Sequence, residues 1–201
     1  MKNSIIILLL FSLGILLGIN GKLPDVMMET DFSIIALYCL MFLVGVGIGA
    51  DRKSWSVIHK MKLKIFLVPL GIIVGTLAGA AIASLLLPEM KLKEVLAVGS
   101  GFGYYSLSSL LITEMAGESL GVIALLSNIM REMFTLLATP LLVMYFGKLA
   151  GISAGGATSM DTTLPVITRF SGKEWSIISV FSGIVLTLLV PFLVTLVLKY
   201  F

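Results

Sequence analysis

The stretch LGVIALLSNIMREMFTLLATPLLVMYF, residues 120–146, decides the fold class of this chain. It exceeds the length of about 20 mostly apolar residues that a transmembrane helix needs, and it carries Arg131 and Glu132 near its middle. Of the 201 residues in the whole chain, 58% are apolar and only 12% are charged. Soluble domains are roughly half apolar and one quarter charged. The composition therefore excludes a soluble globule and predicts an all-α polytopic membrane protein.

Apolar stretches on both sides of this one predict about seven transmembrane segments in a single transport domain, residues 1–201. They cover residues 4–19, 32–50, 65–87, 95–113, 120–146, 150–168 and 175–199. No small-residue cleavage pattern follows the first stretch, so we interpret it as a span and not as a signal peptide. The basic loop 51–64 predicts a cytoplasmic position for that loop and for the amino terminus.

The third segment carries small residues at every fourth position. Gly71, Gly75 and Gly79 are followed by Ala83. Small residues at this spacing let two helix backbones approach closely in a membrane. We therefore expect this stripe to be a packing seam.

Two segments are interrupted by glycine-rich stretches at corresponding places. An offset of 55 residues aligns GSGFGYYSLSSLLIT, residues 99–113, with AGGATSMDTTLPVIT, residues 154–168. Paired interruptions of this kind are typical of the midplane site of a secondary transporter built from repeats. With seven spans, however, both segments run in the same direction, whereas an inverted repeat needs opposite directions. Either one segment re-enters without crossing, or a span lies outside this chain.

Polar residues form a stripe along the fifth segment. Asn128, Glu132, Thr135 and Thr139 follow the spacing i, i+4, i+7, i+11, which places them on one helix face. A charge at the centre of a spanning helix costs about 2.5–3.5 kcal/mol, so an intramembrane acid indicates function. Arg131 points about 100° away from Glu132 around the helix. We expect Arg131 either to clamp the carbonyls of a broken helix or to neutralise an acid.

Further candidates for substrate or ion binding surround the two interruptions. Asp161 follows the second one, where it could cap the next half-helix or bind a cation. Tyr104 and Tyr105 lie beside the first and could bind a cation through their hydroxyls or ring faces, with simple packing as the alternative. The remaining candidates are Gly101, Ser106, Gly155, Gly156, Thr158, Ser159 and Thr162.

The sequence contains no motif for catalysis or for a resident metal. It lacks a phosphate-binding loop and a His-Glu-x-x-His pair, and its single histidine and single cysteine cannot build a multi-His or Cys-based metal site. The net charge of +3 is spread over the connections between apolar segments, which predicts no groove for nucleic acid. We predict a protein that is not an enzyme and needs no cofactor beyond a coupling proton or sodium ion.

Three stretches carry a resemblance to a known family: GSGFGYYSLSSLLITE, ALLSNIMREMFTLLATPLL and ISAGGATSMDTTLPVITRFSG. Together they resemble the LysO-type lysine exporter family of bacteria and archaea, and the string GGATSMDTTLP is highly specific. The resemblance implies export of L-lysine, and of cationic analogues such as thialysine, across the cell membrane and driven by ion gradients. In that family intramembrane acids carry transport, and the matching positions here are Glu132 and Asp161.

The resemblance also bears on architecture and partners. The family is distantly similar to cation/proton antiporter-like folds, which contain crossed, broken helices. Longer members carry further spans ahead of the matching part, and in some organisms those spans form a separate small membrane protein. We therefore expect this chain to be the carboxy-terminal part of a split exporter, with a small membrane partner subunit or a second copy of itself. Its other expected partners are lysine and membrane lipid.

These features lead to an antiport hypothesis. Exporting a lysine cation against an inside-negative potential costs about 2.3 kcal/mol per 100 mV, and exchange for one entering proton or sodium ion cancels this cost. In the hypothesis, Glu132 and Asp161 share a cavity and bind either the lysine ammonium group or the counter-ion. The alternative is a cation channel or pore-forming subunit with a glycine-rich filter, which predicts neither saturation nor counter-ion coupling.

Overall fold

The computed structural model describes residues 63–201, together with Leu16, Ile35, Cys39, Phe42 and Val46. The first two predicted segments and the basic loop lie almost wholly outside the described residues. Contacts divide the chain into two compact units, Met1–Tyr38 and Cys39–Phe201. All the helices described below belong to the second unit.

The regular structure of residues 63–201 consists of helices alone. A 3-10 turn, Leu63–Phe66, leads into α1 (Leu67–Ser84), α2 (Leu92–Gly99), α3 (Tyr105–Ala116), α4 (Glu118–Phe146), α5 (Leu149–Gly155), a 3-10 segment (Gly156–Met160), α6 (Leu164–Ser171) and α7 (Lys173–Tyr200). The predicted all-α class is confirmed for this part of the chain.

Three of these helices, α1, α4 and α7, are long and apolar enough to cross a membrane. They correspond to the third, fifth and seventh predicted segments. The fourth and sixth predicted segments are broken, as α2 with α3 and as α5 with α6. The total of seven spans, the repeat and the single domain over residues 1–201 stay predictions.

Glycines with a left-handed backbone lie at three helix boundaries. Gly117 lies between α3 and α4, Gly147 follows α4, and Gly172 lies between α6 and α7. Their φ angles are 94°, 87° and 107°, a left-handed region that glycine enters without steric cost. Because each turn is this short, the helices on its two sides are held close together.

Helix α7 is the central helix of the described part. Leu186, Val190 and Val194 are fully buried on it, and Phe181 is nearly so. By contrast, only Pro69 and Ile72 are buried on α1, which otherwise presents an apolar surface. In a membrane such a surface can face lipid or another span, since lipid tails are as apolar as leucine.

The expected packing seam on α1 is not filled by the described residues. A Cβ built on Gly71, Gly75 or Gly79 would have no heavy atom within 4 Å. Instead Thr76 and Ala80 lie against Gly99 of α2, one position further round the helix. The spacing of small residues shows which face of α1 permits close approach, but it does not show which face packs against α2.

Substitution of Gly183 tests the packing of α7 against the 3-10 segment. A Cβ on Gly183 would lie 2.6 Å from the Cβ of Met160 and 2.9 Å from the carbonyl oxygen of Ala157. We expect Gly183→Ala to lower the free energy of unfolding by about 1–3 kcal/mol, because overpacking forces the backbone to shift. Thermal unfolding in detergent measures the effect. Gly75→Ala, which enters open space, is the matched control, and equal melting temperatures for the two variants would contradict this packing.

Candidate functional site

The two interrupted segments meet at a crossing, which comprises residues 100–104 and 156–163. The first break lies between α2 and α3, and the second follows α5 and ends where α6 begins. The backbone N–H of Ala157 donates a hydrogen bond of 2.8 Å to the carbonyl oxygen of Phe102. Ala157 follows Phe102 by 55 residues, the same offset that aligns the two stretches in the sequence. Aligned positions of the two breaks thus bond directly to each other.

The backbone at the crossing takes conformations that are rare in regular structure. Phe102 has a φ of 47°, the only positive φ of a non-glycine residue in the described part, and its side chain is fully buried. Such conformations cost about 1–3 kcal/mol and persist only where the surrounding structure enforces them. The strain at Phe102 is therefore a property of the candidate site itself.

The candidate glycines are buried and allow close approach at the crossing. A Cβ on Gly156 would collide with the carbonyl oxygen of Phe102, and Gly156 has a φ of 60°. A Cβ on Gly101 would lie 2.6 Å from both Asn128 Nδ2 and Ser108 Oγ. Gly155 is similarly tight, with Thr163 Oγ1 at 2.8 Å from its Cβ position. These glycines shape the site by leaving room for their neighbours.

Asn128 on α4 bridges the first break. Its Oδ1 accepts a hydrogen bond of 2.7 Å from the N–H of Gly103, and its Nδ2 donates to the carbonyl oxygens of Val98 at 3.2 Å and Ala124 at 2.9 Å. The side chain is 3% exposed. Asn128 thus satisfies backbone groups in the last turn of α2 and within the break, and in this conformation its amide serves the fold.

Arg131, one turn further along α4, holds the second break. Its Nε donates to the carbonyl oxygen of Ala154 at 2.9 Å, and Nη2 donates to that of Ser153 at 3.0 Å. Its Nη1 donates to Thr76 Oγ1 at 3.3 Å. Two roles were expected for Arg131. In the structure it binds the carbonyl oxygens of a broken helix, which is the first of them.

Glu132 follows Arg131 but is not paired with it. The carboxylate is half-buried and makes no hydrogen bond or ion pair within the described part of the chain. Its neighbours on the stripe bond within their own helix, Thr135 Oγ1 to the carbonyl oxygen of Arg131 and Thr139 Oγ1 to that of Thr135. A carboxylate that makes no bond to the described residues is available to bind a mobile cation.

Asp161 is exposed and lies in the second break, shortly before α6 begins. Its Oδ1 accepts hydrogen bonds from the backbone N–H of Thr162 at 2.5 Å and from Thr162 Oγ1 at 3.2 Å. The N-cap of α6 is Thr163, so Asp161 does not cap that helix as one interpretation expected. Its second carboxylate oxygen accepts no hydrogen bond from the described residues.

The two breaks bring further candidates together near Asp161. The phenol of Tyr104 lies close enough to interact with the side chain of Ser106 and with the charge of Asp161. Ser106 and Asp161 are also aligned by the 55-residue offset. Tyr105, which begins α3, is half-buried. The structure therefore places Tyr104 near Ser106 and Asp161, and it shows no bond from Glu132 to any of them.

Thr158 and Ser159 hold the 3-10 segment in place. Thr158 Oγ1 donates to the carbonyl oxygen of Gly155 at 2.9 Å. Ser159 and Ser179 of α7 bond reciprocally, each hydroxyl donating to the carbonyl oxygen of the other, at 3.1 Å and 2.6 Å. Their hydroxyls thus serve the backbone of the second break in this conformation.

Sequence reasoning missed Thr76, Phe102 and Ser179. Thr76 is the only hydroxyl residue between positions 65 and 83, and an isolated hydroxyl in an apolar span is a signal for a polar contact. Ser179 precedes Gly183 by four residues, which marks a face of small residues on α7. For Phe102 no such signal exists, since its left-handed backbone depends on the partner segment.

Comparison with known proteins decides the family. A family model described as "Lysine exporter LysO" matches residues 8–198. This chain belongs to that lysine exporter family. The resemblance inferred from the sequence is thereby confirmed.

Two relatives of the exporter family are similar to most of this chain. "Lysine exporter LysO" of Escherichia coli (strain K12) is 32% identical over 182 residues, which are 90% of this chain and 60% of the relative. "Putative lysine exporter" of Haemophilus influenzae (strain ATCC 51907 / DSM 11121 / KW20 / Rd) is 33% identical over 161 residues, 80% of this chain and 81% of the relative. The chain thus spans only part of the Escherichia coli exporter's length. No solved structure matches.

Substitution of Asn128 tests the clamp on the first break. We expect Asn128→Ala to lower the free energy of unfolding by about 1–3 kcal/mol, because the buried N–H of Gly103 loses its partner and the carbonyl oxygen of Val98 loses one of its two donors. Asn128→Asp keeps an acceptor for the N–H of Gly103 but loses the donor to the carbonyl oxygen of Val98. We therefore expect its free energy of unfolding to lie between those of Asn128→Ala and the wild type. Thermal unfolding in detergent is the measurement. Ser127→Ala, an exposed neighbour on α4, is the control, and the same small effect at both positions would argue against the clamp.

Proposed function

We propose that this chain is the transport domain of a secondary transporter that exports L-lysine, and analogues such as thialysine, in exchange for protons or sodium ions. Membership in the lysine exporter family supports the substrate class. The observation that carries the mechanism is Glu132, a half-buried carboxylate that pairs with no described residue and lies on the helix that clamps both breaks of the crossing. A cationic substrate needs such a carboxylate at membrane depth, where an uncompensated charge is costly.

In this proposal Glu132 and Asp161 are the two cation-binding groups. Each binds either an ammonium group of lysine or the counter-ion, and the exchange follows from this competition. Asp161 is supported in the role by its exposure and by the neighbouring Tyr104 phenol, and Ser106 and Thr162 complete this polar end of the site. Tyr105 contributes its ring or hydroxyl beside the first break.

The carboxylate of lysine is recognised at the amino ends of the half-helices. Helix α3 begins at Tyr105 and α6 begins at Leu164, and neither N-cap residue makes a side-chain capping bond. The first N–H groups of a helix carry partial positive charge and bind anions well. Both ends lie at the crossing, as is typical for secondary transporters with discontinuous helices.

The architecture that fits this role is a repeat-built bundle of about seven spans with crossed, broken helices. The hydrogen bond between Phe102 and Ala157 supports it, because residues at equivalent positions of two repeats approach each other at a pseudo-two-fold axis. The protein lies in the cell membrane with its amino terminus in the cytoplasm.

The family resemblance and the surface of α1 bear on the partner. We propose that a small membrane subunit, or a second copy of the chain, completes the transporter. Apolar side chains on α1 that contact no other described helix provide a surface for such a subunit.

Neutralising the two carboxylates tests the mechanism. We expect Glu132→Gln and Asp161→Asn each to slow lysine efflux from loaded proteoliposomes by about tenfold or more, since a charge-assisted contact is worth about 1.5–3 kcal/mol. Glu118→Gln, at the exposed start of α4, is the matched control and should transport normally. Full activity of either variant would remove that acid from the mechanism.

The same vesicles distinguish the coupling ion and the class of transporter. An inward proton gradient or an inward sodium gradient should accelerate the export of lysine, and labelled lysine should exchange in counterflow at a rate that saturates. A channel would give flux that neither saturates nor responds to the counter-ion gradient, and this outcome would contradict the antiport mechanism.

Purification tests the proposed assembly. We expect the chain expressed alone to transport poorly as a monomer, and to gain activity with the partner subunit or as a dimer. Size-exclusion chromatography with light scattering gives the protein mass within the detergent micelle. A monodisperse monomer that transports lysine at full rate would contradict the need for a partner.

A further inference from the structure

We propose that Arg131 is a built-in cation of this transporter. Its guanidinium group occupies a cluster of backbone oxygens at the second break, where a mobile cation would otherwise bind. Cation binding during transport is thereby left to the carboxylates. The inference deepens the proposed function and rests on it only for the transport arm of its test.

The oxygens around the guanidinium group resemble a cation site. The carbonyl oxygens of Ser153 and Ala154 belong to the last turn of α5, where carbonyls lack intrahelical partners. Thr76 of α1 adds a hydroxyl oxygen from a different helix. Carbonyl and hydroxyl oxygens are ligands that hard cations prefer. Unwound carbonyls and half-helix carboxyl ends hold the coupling ions of many transporters, and here the protein's own side chain binds them.

The positive charge of Arg131 has no acidic partner in the described part of the chain. Even the adjacent Glu132 makes no ion pair with it. The carboxyl end of α5 compensates the charge instead, because a helix carries partial negative charge at that end. A residue that merely neutralised an acid would not show this arrangement.

The guanidinium group also fills the space at the crossing. Its Nη2 lies 3.1 Å from the Cβ position of Gly156, and its Cδ lies 3.8 Å from that of Gly103. Both glycines belong to the breaks, and neither has a side chain that could displace the arginine. The guanidinium group thus occupies this place between the two breaks in the structure.

Removing the side chain should open this site to a free cation. We expect the melting temperature of Arg131→Ala to fall by about 5 °C, because the carbonyl oxygens of Ser153 and Ala154 lose the guanidinium as their partner. Millimolar guanidinium chloride should restore most of the loss, whereas tetramethylammonium chloride, which carries charge but no N–H donors, should not. The wild type and Arg169→Ala should respond to neither salt, since Arg169 is exposed on α6.

Two further variants separate charge from hydrogen bonding if Arg131→Ala does not fold. Arg131→Lys keeps the charge with fewer donors in position, whereas Arg131→Gln keeps an amide donor without the charge. A built-in cation predicts that Arg131→Lys is the more stable and the more active variant. A side chain that only packs and hydrogen-bonds predicts that Arg131→Gln equals or exceeds it.

Transport supplies the second readout. We expect lysine counterflow by Arg131→Ala to fall about tenfold or more and to recover with guanidinium, at concentrations that leave the wild type unchanged. Equal responses to guanidinium and tetramethylammonium, or Arg131→Gln matching Arg131→Lys, would overturn the proposal. If the wild type itself failed to move lysine, the proposed function would fail, and the thermal measurements would still decide the role of Arg131.

Discussion

Unwound backbone in a membrane has no water to bond to, so every donor and acceptor at the crossing must find a partner within the protein. Helix α4 meets this constraint for both breaks. Asn128 bonds to Val98 at the end of α2 and to Gly103 within the first break, and Arg131 bonds to the carboxyl end of α5 at the second. A further contact joins the two breaks directly, from Ala157 to Phe102. The candidate transport site exists because these few side chains replace the missing helical hydrogen bonds.

The distribution of charge around the crossing follows from the same constraint. The carboxyl end of α5 is compensated by Arg131, and Asp161 lies ahead of the amino end of α6, which favours a negative charge. Glu132 on α4 makes no bond to the backbone of the described residues. The cation binding proposed for it would therefore leave the bonds at the crossing intact.

Much of this arrangement could be predicted from the sequence, because hydropathy and glycine patterns are local. The long helices α1, α4 and α7 and the two interruptions could be located in this way, and so could the polar stripe that begins at Asn128. The partners of Asn128 and Arg131 could not be assigned, since they depend on which break lies against which turn of α4. The contact of α1 with α2 through Thr76 and Ala80, and the left-handed Phe102, are unpredictable for the same reason: both depend on contacts between distant segments.

The most direct measurement is a disulfide cross-link across the crossing, formed in native membranes. Phe102→Cys and Ala157→Cys, combined with Cys39→Ser to remove the native thiol, place two thiols at the point where the breaks bond to each other. Mild oxidation should join residues 102 and 157 within one chain, whereas Phe102→Cys combined with Leu137→Cys, on the exposed face of α4, should stay reduced. Failure of the first pair to cross-link in folded protein would contradict a structure in which the two broken segments cross.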